Sequence, residues 1–544
     1  MGEYIYDSPT ASPKESAHWR ELDHKEGDKV IENLQELTTA FALSVSLNVD
    51  GNVDGNNCAF WSCLLGYCEA LCTNKDEGQR YAIYPIPFDA LNRLVAAEFI
   101  PPTCDIVGPA SNSNPHHRRT TQVISNWVWG KVTPKSNVKD EKHANSLYVV
   151  LRGNIDGKSV DCFGAALTTV IGMRQLGFNN STLTLSEDHA YESHNGGEGD
   201  HQEDSIVRHT CEVAIPGNNK AQKAKRGQET ATTFHTNKRS RLTPATSWLY
   251  MGNNPVYCRT TPMILAAALG NLNCLIDSKG NSMELNSEPL MLVKRELLWV
   301  LRDKGHLDMF PFALCELGWS EEHLTSTRGD IRISIPALAP IPVTTIESLY
   351  HEAITCCKEH YDDKQVYPYC YLGFFHKDGG QEEEERFGLA LKYFGEAARV
   401  ASGYLYEWGD SLQLTKVMTK LSEFTVREIL NASDVPRVWI QEVSAIECAR
   451  WLFSFYDCLL LWEERSGEQS FLPICESNHK TGISKAFSLL SHEVRGNAFE
   501  SYVARSKRLQ GPLVAALLGG KFSISDMHLN IVAETGRRRK RKER

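Results

Sequence analysis

The sequence has no CxxC pair, although sixteen of its 544 residues are cysteine. Zinc modules take their ligands at short, regular spacings, so neither a metal site nor a cofactor is expected. No apolar run reaches the roughly 18 residues that a membrane helix needs, so no membrane partner is expected either. The opening thirty residues are polar and acidic and lack the pattern of a signal peptide. Met1-Gly2 looks like the start of a myristoylation site, but Tyr6 stands where Ser or Thr is required. A positive surplus is also missing: the net charge is −10, which argues against broad DNA affinity.

What is present fits a soluble globular chain, with 42% hydrophobic and 23% charged residues. The length exceeds a single core and predicts two to four domains. Cys63, Cys315 and Cys458 sit inside apolar helical stretches, where a thiol packs as a small hydrophobe. Free thiols and no leader point to a reducing compartment, cytosol or nucleus, where the glycosylation patterns at Asn180 and Asn431 carry no meaning. One local reversal of charge stands out. Arg537, Arg538, Arg539, Lys540, Arg541 and Lys542 form a basic run in residues 536–544 that has nothing apolar to bury. It reads as a nuclear import signal with weak non-specific affinity for the DNA backbone. Sequence-specific DNA readout is not expected, since no recognition helix or zinc finger is visible.

Along the chain, residues 1–30 read as disordered. Two helical patterns follow between Lys29 and Thr73, broken by an acidic Gly/Asn-rich loop at 48–57. Residues 146–152 read as a strand or a short buried helix, 162–176 as a helix stopped by Gly177, and 182–185 as a strand. Residues 192–245 are polar and Gly-rich and read as a long mobile insertion, with basic clusters at Lys223–Arg226 and Lys238–Arg241. From Ser247 onward the apolar rhythm is helical, at 290–302, 346–361, 390–401 and 443–462. Ala390, Tyr393, Phe394 and Ala397 share one face, two small residues beside two aromatics, as in tetratricopeptide-type helical pairs. A plain helical bundle is the alternative.

One constellation resembles catalytic chemistry. Cys162 opens a helix, where backbone N–H groups favour a thiolate. His189 follows a strand, and Glu212 comes after it, the order of a transglutaminase-like or papain-like site. Cys162 would attack an acyl carbon, His189 would take its proton, and Glu212 would orient the imidazole. Such sites more usually carry Asp third, and no oxyanion donor is identifiable, so an enzyme is the alternative and not the leading reading.

Several segments in one order resemble the menin family of nuclear scaffolds: Leu185–Ala190, Ser247–Tyr250, Leu297–Leu307, Leu349–His351, Val366–Leu372, Phe455–Asp457 and Trp462–Glu464. The resemblance implies a mainly α, multi-domain helical scaffold. It comprises N-terminal helices and a hairpin (1–118), a small α+β transglutaminase-like domain without activity (119–245), a tetratricopeptide-like central domain (246–420), a C-terminal helical domain (421–535) and the basic tail (536–544). It implies a nuclear adaptor whose central cavity takes the N-terminal peptide of an MLL-type histone-H3 lysine methyltransferase, or a JunD-type transcription factor peptide. A lens-epithelium-derived growth factor type chromatin reader would join at a shared surface. Carried over, the cavity residues are Asp140, Ser186, Asp188, His189, Phe310, Phe312, Tyr367, Cys370, Tyr371 and Phe394.

The chain also departs from the family. Phe310 and Phe312 replace Tyr and Met, Phe394 replaces Trp, Glu316 replaces Asn, and Cys162 replaces Ser. The acidic edge that meets arginines of the peptide aligns with Leu412, Lys416 and Thr419. A lysine there repels an Arg-rich ligand, so a different peptide charge or a lower affinity is expected.

Overall fold

In the computed structural model, the residues described are 24–46, 55–72, 86–99, 114–131, 143–144, 147–152, 159–160, 162–185, 190–195, 208–211, 255–272, 274, 288–325, 343–378, 383–402 and 445–466. They are mainly helical and divide into two compact units, 1–250 with 254–356 and 251–253 with 357–544.

The first unit combines amphipathic helices with helices buried on nearly every side. α1 (His24–Ser46) places Leu34, Leu37, Phe41 and Val45 on one buried stripe. Phe41 meets Trp61 of α2 (Gly55–Cys72) edge to face, with centroids 4.9 Å apart. α2 buries Cys58, Ala59, Trp61, Cys63, Leu64, Leu65 and Cys68, so it is a core helix and not a surface one. α1 begins at His24, inside the stretch read as disordered. α3 (Phe88–Glu98) and α4 (Asn114–Lys131) follow. The two-residue strands β1 (His143–Ala144) and β2 (Ser159–Val160) pair in parallel, and between them α5 (Leu147–Arg152) resolves the strand-or-helix alternative as a helix.

α6 (Cys162–Gln175) begins at Cys162, as the sequence predicts, and is buried from Phe163 to Met173. Gly177 ends it in the left-handed region at φ 87°, and Phe178 N–H returns to Met173 O at 3.0 Å. Gly172 lets α4 approach: a Cβ there would lie 3.0 Å from Ile124 Cγ2. Beside α6 is an antiparallel sheet of order β5-β4-β3-β6, formed by β3 (Thr182–Leu185), β4 (Ala190–Asn195), β5 (Arg208–Cys211) and β6 (Val256–Cys258). Leu185 pairs with Ala190 and with Val256, which fixes the register of the centre. Buried Arg174 ties α6 to this sheet, donating to Ser181 O at 2.9 Å and Arg259 O at 2.7 Å.

β4 and β5 correct the reading of 192–245 as a continuous mobile insertion. Residues 192–195 and 208–211 are paired strands, and Glu192, Ser193 and His194 are buried. Glu192 and His194 meet each other, and Ser193 Oγ lies 2.6 Å from Thr184 Oγ1 on β3, pairings that composition alone does not reveal.

α7 (Thr261–Gly270) is capped by Thr260, whose Oγ1 accepts from Met263 N–H at 3.4 Å, with Pro262 in the first turn. It is buried all round and lies against α8 (Glu288–Asp303) and α9 (Pro311–Thr325). α10 (Val343–His360) packs on α9 through Tyr350, whose ring occupies the space that a Cβ on Gly318 would need, 2.9 Å away.

The second unit contains α11 (Tyr367–Asp378), α12 (Glu383–Ala401) and α13 (Ala445–Ser466), with α12 packed against both others. α12 starts seven residues earlier than the 390–401 helix read from the apolar rhythm, because its first turns are acidic and follow no apolar stripe. Ala390, Phe394, Ala397 and Ala398 form its fully buried side.

Candidate functional site

The chain enters α11 through a turn in which Asp362 and Asp363 both adopt positive φ, 52° and 56°. Asp363 is held there from three sides. Its N–H donates to Cys357 O at 3.0 Å, while its carboxylate accepts from Tyr369 Oη and Arg399 Nη2, each at 2.5 Å. Burial and the adjoining Asp363 carboxylate push the Tyr369 pKa well above the usual phenol range. Arg399 also donates to Glu396 at 2.5 Å. The turn, α11 and α12 are thereby locked by one charged network.

So anchored, α11 buries Tyr369, Cys370, Leu372, Gly373, Phe375 and His376. Its other side carries Tyr367, Tyr371 and Phe374, spaced i, i+4 and i+7 and each half-buried. Lys377 lies over the Phe374 ring at 5.9 Å. This is an apolar stripe with two phenol groups, the kind of surface that anchors an aliphatic or aromatic side chain of a ligand. Phe394 supports it from α12. It is fully buried, meets Phe374 edge to face at 5.1 Å, and packs against bare backbone at Gly373, where a Cβ would lie 2.8 Å from its ring.

In the first unit, Phe310 and Phe312 have ring centroids 6.4 Å apart. Phe310 is fully buried, whereas Phe312 is half-buried and fills the space beside Gly270. One turn beyond Phe312, Glu316 is buried and ion-paired with buried Lys294.

Of the sequence-predicted cavity residues, Tyr367 and Tyr371 therefore share one half-buried face, and Phe312 is half-buried in the other unit. Phe310, Cys370 and Phe394 form packing behind such faces. Asp140, Ser186, Asp188 and His189 lie outside the described residues, as do Glu212, Leu412, Lys416, Thr419 and the basic run Arg537–Lys542. Of the alternative triad, only the start of the helix at Cys162 is described.

A second cluster was not anticipated. Glu192 of β4 is fully buried, and its Oε1 lies 2.9 Å from His117 Nε2 of α4 and accepts from Ser181 Oγ at 3.0 Å. Its Oε2 lies 3.4 Å from His194 Nδ1, two residues along the same strand. The two imidazoles stack at 3.6 Å between centroids with planes 19° apart. Burial on its own would raise the Glu192 pKa, but hydrogen bonds to both histidines and their charge outweigh it and hold the carboxyl at about 2. The signal in the sequence was the i, i+2 pair Glu192 and His194. The polar stretch around it hid that strand.

The sequence model of the Menin family matches residues 84–497, more than half of the chain. The chain belongs to the menin family. A crystal structure of menin, described as revealing the binding site for Mixed Lineage Leukemia (MLL) protein, has the same fold. It aligns with a TM-score of 0.61 at 24% sequence identity, covering 87% of this chain and 94% of that one. α7 to α12 lie wholly within the matched residues. Menin is a family of scaffolds, and the chain is read as one.

Proposed function

We propose that this chain is a nuclear scaffold that binds short peptides in a central cavity and so regulates transcription and chromatin. Its partners would be the N-terminal peptide of an MLL-type histone-H3 lysine methyltransferase and a JunD-type transcription factor. A lens-epithelium-derived growth factor type reader would be recruited alongside. The observation that carries the reading is the half-buried stripe Tyr367, Tyr371 and Phe374 on a helix inside the family match. Aromatic rings held rigidly by buried neighbours supply contact area at low entropic cost.

Fluorescence anisotropy with a labelled Phe/Pro/Arg-containing peptide tests it. Tyr367→Ala and Tyr371→Ala should each weaken binding about tenfold or more, equivalent to ~1.4 kcal/mol or more. Equal affinity in both variants, with helical content retained, refutes the reading. For localisation, removal of 537–544 should shift a tagged chain from nucleus to cytoplasm; unchanged nuclear retention refutes import through this run.

A second reading rests on α6 beginning at Cys162. It is a transglutaminase-like or papain-like cysteine acyltransferase or protease using Cys162, His189 and Glu212.

A further inference from the structure

We propose that His117, Glu192 and His194 form a structural binding site for a divalent transition metal of the zinc class. Two imidazoles and a carboxylate are a zinc ligand set, and one ligand atom from each lies within 4.8 Å of the others. Ligands at 2.0–2.2 Å from a tetrahedral ion are roughly 3.3 Å from one another. Glu192 reaches His117 through Oε1 at 2.9 Å and His194 through Oε2 at 3.4 Å, so the carboxylate lies between the two ring nitrogens. For both nitrogens to reach one ion, the two stacked rings would have to turn out of their parallel arrangement.

The placement is independent of any short sequence motif. Glu192 and His194 alternate along β4 and project from the same face, a consequence of the two-residue period of a strand. His117 comes from the first turn of α4, seventy-five residues from Glu192. The CxxC rule that excluded a zinc module therefore says nothing about this site.

A divalent ion held by two neutral imidazoles would neutralise the fully buried Glu192 carboxylate. Ser181 Oγ, donating to Glu192 Oε1, is then the outer hydrogen bond that orients a ligating carboxylate. All three ligands are buried, so the ion would join α4 to the sheet, with a fourth position left for a water.

The test uses the full chain, stripped with a chelator and titrated with Co²⁺ and then Zn²⁺. The expected result is one equivalent of Co²⁺ with visible d–d absorption and no thiolate charge-transfer band, displaced by Zn²⁺, with a higher Tm in the metal-loaded form. X-ray absorption of the zinc form should show nitrogen and oxygen ligands with imidazole scattering. Glu192→Gln and His194→Gln should each abolish stoichiometric uptake. If either variant does not fold, the wild-type titration and absorption spectrum still decide the matter. Failure of the folded wild-type chain to take up either ion means a hydrogen-bonded triad only and overturns the proposal. A thiolate-type spectrum, or uptake undiminished in folded Glu192→Gln, assigns the ion to cysteines and overturns it as well.

Discussion

Lys294 is ion-paired with Glu316 inside the first unit, and both side chains are buried. The ammonium also donates to the carbonyls of Gly270 and Leu272 at 3.2 Å each, and it lies 5.4 Å from the centroid of the Trp319 ring. Three helices thus converge on one cation. α7 offers the carbonyl of its last residue and another just beyond it, α8 the lysine, and α9 the carboxylate. Removing Glu316 leaves a buried ammonium with two carbonyls and a ring face but no opposite charge. Glu316→Ala should lower the unfolding free energy by about 3–5 kcal/mol in urea titration, whereas the double change Lys294→Met with Glu316→Leu should cost much less. Equal losses in the single and double variants would show that the pair itself, and not the stranded charge, sets the energy.

Gly373 and Phe394 give a second prediction. A methyl group on Gly373 would lie 2.8 Å from the Phe394 ring, which is fully buried and cannot swing into solvent. Gly373→Ala should destabilise by about 1–3 kcal/mol, and adding Phe394→Leu should recover part of the loss by vacating ring volume. Thermal melts of the three variants measure this. A neutral Gly373→Ala would mean that α11 and α12 are looser than described.

The turn before α11 predicts opposite outcomes at neighbouring residues. Asp362 is exposed and left-handed, and it accepts from Lys364 Nζ in a surface contact at 3.1 Å. Asp362→Gly relieves backbone strain and should be neutral or stabilising by up to about 1 kcal/mol. Asp363→Gly relieves the same kind of strain but deletes the acceptor of Tyr369 and Arg399, so it should be destabilising. Denaturant midpoints compare the two directly. Peptide affinity should fall with Asp363→Gly as well, since α11 carries Tyr367 and Tyr371.

Thiol chemistry separates the scaffold from the enzyme. Burial pushes the Cys63 thiol up to about 12, and burial together with Asp457 pushes Cys458 up to about 11. Both should resist iodoacetamide at pH 8, where almost none of either is thiolate. For a scaffold, Cys162 should label at an ordinary thiol rate that is unaffected by His189→Ala. Selective, fast labelling of Cys162 that slows in His189→Ala would establish the acyltransferase reading instead. Mass spectrometry of timed digests distinguishes these outcomes.

Much of this architecture was legible because helices announce themselves by local spacing. The stretch 290–302 repeats apolar residues at i, i+3 and i+4, and it became α8 with only its ends adjusted. Gly177 stopped α6 as a left-handed glycine should. The pairing of Tyr367 with Tyr371 followed from helix geometry alone. What escaped was non-local. Spacing within α12 put Phe394 on a packing face, but it could not say that Gly373 of another helix leaves the room its ring fills. β4 escaped because its Glu192, Ser193 and His194 look solvent-bound until α4 and the end of α6 are placed beside them.

That arrangement has a consequence for how the chain is made. His117 must wait for a strand seventy-five residues downstream, and Arg174 for a carbonyl eighty-five residues downstream. During synthesis from the N-terminus, α4 and α6 emerge before the groups that complete them, so closure of this unit is a late, loop-limited step. A fragment cut between α4 and β4 would therefore not be half of a working domain. It would leave Glu192 in one piece and His117 in the other, each deprived of the neighbour that makes its burial tolerable.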